Sequence, residues 1–210
     1  MLNCIGSTLL IDLERALSDV ANIRDQLATG TVFRGFGPLV IAGSGFLALA
    51  TGGAQVIWPS AIASNSTTYI FCWIAVAVLV ATLIGVSMIT RSKRLHGNMA
   101  KTMIMGTIQQ FLPVCASGAA ISAVLLKYAP SSLWILPGLW QVLVAIGIFG
   151  SLKMLPKTMS MVGAWYFISG TFVLVFASVD QVPSPWMMAF PFAIGQFLAA
   201  SILWFESGRG

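Results

Sequence analysis

The chain has 210 residues, of which 58% are hydrophobic and 8% are Asp, Glu, Lys or Arg, with a formal net charge of +5 and a mean hydropathy of +0.91. A water-soluble chain carries about a quarter charged residues, so a soluble enzyme, a nucleic-acid-binding domain and a disordered tail are excluded. The eleven basic residues sit between apolar runs, where they read as topology signals rather than as a nucleic-acid surface. The pattern predicts an all-α, polytopic integral membrane protein.

Residues 1–35 carry the first predicted element, a cytoplasmic amphipathic helix. Leu10, Leu13, Leu17, Val20 and Leu27 recur at helical spacing, interrupted where Arg24 takes an apolar position. Ser7 or Thr8 suits the N-cap, Asp12 and Glu14 suit the first turns, and Gly30 suits a left-handed C-terminal cap. Four of the six acids of the chain lie here. A helix that adheres to anionic lipid presents Lys and Arg, whereas this one presents mostly carboxylates. Its stripe is therefore read as a protein contact, either beneath its own bundle on the basic loop Arg91–Lys101, or with a second copy or a cytoplasmic partner. The stripe is too short for a coiled coil.

Residues 36–206 hold six predicted spans, at about 37–58, 68–90, 102–126, 133–150, 159–177 and 186–205, before a short tail, 207–210. Each approaches the roughly 20 apolar residues needed to cross a bilayer. None contains Asp, Glu, Lys or Arg in its apolar stretch. Continuous runs of this kind are unlike the alternating strands of a membrane barrel. Met1–Leu10 lacks the basic start and apolar core of a cleavable signal peptide, so the first span is expected to direct insertion.

Ten of the eleven basic residues fall before the first span, between the second and third, between the fourth and fifth, or after the sixth. The opposite loops hold Lys127 and Asp180. The positive-inside rule then places both termini in the cytoplasm of a multi-pass cell-membrane protein. Trp58, Tyr69, Tyr128, Trp134 and Trp186 are expected near the outer interface, and Phe33, Phe36, Trp204 and Phe205 near the inner one. Asn65-Ser66-Thr67 matches a glycosylation sequon on the outer side, a three-residue pattern of low specificity.

Catalytic and energy-coupling devices are missing from the pattern. No span carries an ionisable residue of the kind that marks a proton or ion relay, and no G-x-x-x-x-G-K-[ST] motif occurs. His96 is the sole histidine. Cys4, Cys72 and Cys115 lack CxxC spacing, and Gly43-Ser44-Gly45 is not a nucleophile elbow. Neither an enzyme, a cofactor nor a metal site is predicted. Seven of ten methionines lie towards the cytoplasmic side, with Met99 and Met103 near His96. Thioethers and imidazole suit Cu(I), but methionine is also an ordinary filler of irregular apolar space.

The polar residues that stand out inside the spans are Gln109 and Gln110 in the third, Gln141 in the fourth and Gln196 in the sixth. An amide in hydrocarbon is costly unless paired, so each is expected to face another helix or water, as interhelical glue or as the lining of a pathway. Pro113 removes an amide donor close to Gln109 and is expected to bend the third helix. Ser44, Ala48 and Gly52, and likewise Cys115, Ala119 and Ala123, form small-residue stripes for close helix packing, within one chain or between chains. Ser-Gly pairs at 44–45, 117–118 and 169–170 hint at a repeat of helical hairpins, although coincidences are expected in so apolar an alphabet. The favoured function is a passive channel or facilitator for a small solute or ion, as a homo-oligomer. The alternative is a non-catalytic membrane scaffold or regulator that docks a cytoplasmic protein partner through its N-terminal helix. The lipid bilayer is a partner in either case, and nucleic acid in neither.

Overall fold

The computed structural model describes residues 37–96, 100–152 and 155–207, with side chains placed at all of these except 91–96, 100–104, 107 and 207. The predicted N-terminal helix, with Leu10, Leu13, Leu17, Val20 and Leu27, lies outside the described residues, as do Met99 and Met154. The described chain is helical, and six of its helices are long and apolar enough to cross a membrane.

α1 (Pro38–Ile57) opens on a proline, whose missing N–H costs nothing in a first turn. A short helical turn, Pro59–Ile62, leads to α2 (Ser66–His96). Asn65 caps α2, its side-chain oxygen accepting from the Thr68 N–H at 2.8 Å and from the Thr68 hydroxyl at 3.1 Å. The sequon asparagine thus has a local structural role. α2 continues past the expected end near residue 90.

α3 (Ala100–Tyr128) contains Pro113. A 3-10 turn, Pro130–Ile135, feeds α4 (Leu136–Gly150). A second 3-10 turn, Lys157–Met159, precedes α5 (Ser160–Asp180). α5 ends at Gln181, which is left-handed (φ 53°) and donates its N–H to the Ala177 carbonyl at 2.9 Å. That is an αL cap. After it comes α6 (Pro185–Ser207), with Pro191 inside.

Small residues decide which helices meet. α1 packs mainly on α6, and α4 on α5. A Cβ on Gly52 would lie 2.5 Å from Ala189 Cβ, and one on Gly45 would lie 3.2 Å from the Ala193 carbonyl. The Ser44, Ala48, Gly52 stripe is buried at this seam. Between α4 and α5 the backbones touch, since a Cβ on Gly138 would come within 2.7 Å of the Gly170 carbonyl, and the reverse approach is 2.8 Å.

α2 and α3 complete the circuit from α1 round to α4 and are far less enclosed. Buried residues make up 44% of the apolar stretch of the fourth span, but 11% in α2 and 6% in α3. Tyr69, in the first turn of α2, keeps the end-of-span position expected of it but is 2% exposed and packs in the core. The Cys115, Ala119 and Ala123 stripe, expected to serve close packing within or between chains, forms no seam among the described helices: it is exposed, because α3 turns a different face, through Phe111, Gly118 and Ser122, towards α4. The Ser-Gly pairs also part company, since Gly45 faces α6 while Gly118 and Gly170 both face α4. The three pairs thus do not share one packing role.

Candidate functional site

Two glutamine side chains are sealed inside the bundle, Gln55 on α1 (1% exposed) and Gln141 on α4 (0% exposed). The first turns of α6 connect them. Gly52, one turn before Gln55, rests on Ala189, Pro185 and Trp186. Gln141 reaches the Met187 carbonyl, and the Tyr69 hydroxyl donates to the Ser184 carbonyl at 3.1 Å.

The Gln141 contact has a specific cause. Proline has no N–H, so Pro191 leaves the carbonyl four residues earlier, that of Met187, without its helical donor. Gln141 Nε2 supplies one at 2.9 Å and also donates to the Pro137 carbonyl of its own helix at 3.1 Å. α5 secures the following turn: Trp165 Nε1 donates to the Pro191 carbonyl at 2.9 Å, and the Tyr166 hydroxyl donates to the Phe192 carbonyl at 3.3 Å. Gln196, half-buried, lies close to the Tyr166 side chain, and Gly195 makes room for the tyrosine ring.

Gln55 is held from α2, where Trp73 Nε1 donates to its Oε1 at 3.0 Å. Gln55 Nε2 reaches towards the Cys72 thiol, a weak acceptor, and makes no hydrogen bond of good geometry. Gln141 is short of a partner in the complementary sense, because its Oε1 accepts nothing. One sealed amide therefore lacks an acceptor and the other a donor. Such vacancies are uncommon in buried native polar groups.

The remaining sequence candidates lie elsewhere. Gln110 rests its amide against Gly150 at the far end of α4. Gln109 and Gln110 are exposed, as is Pro113, so of the four span glutamines only Gln141 and Gln196 are turned into the bundle. Gln55 was not singled out in the sequence. Its signal is position: it continues the face of Ser44, Ala48 and Gly52 that packs into the bundle. Among the described residues, no cluster of three or more His, Cys, Asp or Glu side chains is placed to hold a metal.

No family model, no curated protein and no solved structure matches it. What the site can do rests on its chemistry alone. Amide, indole and phenol groups converge there, and among the described side chains of α1, α2, α4 and α6 the one charged group is Glu206, at the other end of α6. They can donate and accept hydrogen bonds but cannot offset a full charge.

Proposed function

We propose that this membrane protein is a passive facilitator for a small neutral solute, with Gln55 and Gln141 as hydrogen-bonding stations beside the first turns of α6. The observation that carries the reading is the pair of sealed amides with opposite vacancies, Nε2 on Gln55 and Oε1 on Gln141. An unmade hydrogen bond at a buried group costs about 1–3 kcal/mol. A hydroxyl or amide solute both accepts and donates, so it offers each glutamine the partner it lacks. The uncharged surroundings favour a neutral species over an ion. The scaffold alternative draws on the N-terminal helix, which lies outside the described residues.

The test is solute-driven shrinking and swelling of proteoliposomes, with glycerol and urea as probes. Wild type should exceed protein-free vesicles, and Gln55→Leu should lower the rate severalfold in protein that still inserts and folds, although the Trp73 indole loses its acceptor. Wild-type rates equal to those of empty vesicles, or equal rates for wild type and Gln55→Leu, would overturn the reading.

A further inference from the structure

α3 shows one face to the bundle and another to its surroundings. Phe111 and Gly118 pack against α4, and Ser122 accepts from Trp140 Nε1 at 3.0 Å. On the opposite face lie Gln109, Pro113, Ala116, Ala120 and Ala123, all exposed. Successive residues turn by about 100°, which brings these five into one strip along the helix.

Two polar groups lie at the N-terminal end of that strip. The first is the Gln109 side chain, at the beginning of the apolar stretch Ile108–Tyr128. The second is the backbone carbonyl of Gln109, which loses its helical donor because residue 113 is proline. The same chemistry is resolved inside the bundle, where Pro191 frees the Met187 carbonyl and Gln141 from a neighbouring helix bonds to it. At α3 the freed carbonyl and a glutamine occur together, and among the described residues no helix lies across from them.

We infer that the outer face of α3 docks the α3 of a second copy, each Gln109 amide donating to the proline-freed Gln109 carbonyl of the other. Copies inserted in the same direction are related by a two-fold axis along the membrane normal, so the two Gln109 residues lie at equal depth. The contact is isologous, and a glutamine beside its own freed carbonyl supplies both halves of the pairing. Ala116 and Ala120, one turn apart and without bulky side chains, let the two backbones approach closely.

The full-length chain, labelled and reconstituted at high dilution into liposomes, tests this by single-molecule photobleaching. Wild type should bleach in two steps over a range of protein densities. Gln109→Leu removes two reciprocal bonds and should weaken association roughly tenfold, whereas Leu83→Ala on the exposed face of α2 should leave it unchanged. In a second arm that keeps Gln109, Ala116→Cys in a background with Cys4, Cys72 and Cys115 changed to serine should give a disulfide-linked dimer with mild oxidant, and Leu83→Cys should not. Wild type that bleaches in one step at every density, Gln109→Leu that dimerises like wild type, or cross-linking at Leu83 rather than Ala116 would each overturn the inference. Solute flux is not part of either readout, so the dimer and the facilitator reading stand or fall separately.

Discussion

Gln141 completes a helix that is not its own. One nitrogen serves the Pro137 carbonyl of α4 and the Met187 carbonyl of α6, so removing the amide strips a donor from both. Gln141→Leu is expected to destabilise the bundle by about 1–3 kcal/mol, read as a lowered unfolding midpoint in detergent. A midpoint unmoved by Gln141→Leu would show that water or backbone adjustment meets the need. From sequence alone such a change looks nearly neutral, as for a single interhelical bond, because the pairing of Pro191 with Gln141 is invisible across 50 positions of chain. That Gln141 is buried was legible, since an amide in the middle of an apolar run has few other places to go. Gln55 was hidden by its position close to Trp58, where a polar residue passes for the end of a span.

Helix pairing depends on a few positions without side chains. Gly138 and Gly170 each lie against the carbonyl of the other, and a backbone atom cannot rotate away as a side chain can. Gly170→Val should therefore force α4 and α5 apart, at a cost of at least about 1–3 kcal/mol, and should lower the unfolding midpoint far more than Gly43→Val, where a Cβ meets open space. Equal effects at the two sites would contradict the close approach. The extents of the elements were legible because length and the exclusion of charge define a span. Their pairing was not, because lipid and protein interior are equally apolar and hydropathy does not distinguish the faces of a helix. The small residues of α1 are buried while the comparable stripe of α3 is exposed, and no rule of composition separates the two.

Across the whole molecule, helix alternation puts the connections at residues 58–65, 129–135 and 181–184 on one side and those at 97–99 and 151–159 on the other. Nearly all the basic residues lie on the second side, from which we propose that it faces the cytoplasm. A cysteine introduced at Ser64 should then react with an impermeant thiol reagent added outside intact cells, and one at Ser92 should not; labelling at Ser92 alone would invert the orientation. The seam between α1 and α6 has a further bearing on biogenesis. A chain that enters the bilayer from its N-terminal end presents Ser44, Ala48 and Gly52 long before Ala189 and Ala193 have been synthesised. Through the insertion of four intervening helices, the packing face of α1 has only lipid or the insertion machinery to cover it. The bundle thus closes last where it began, and a ribosome stalled within α5 leaves a nascent chain whose α1 still lacks its principal neighbour.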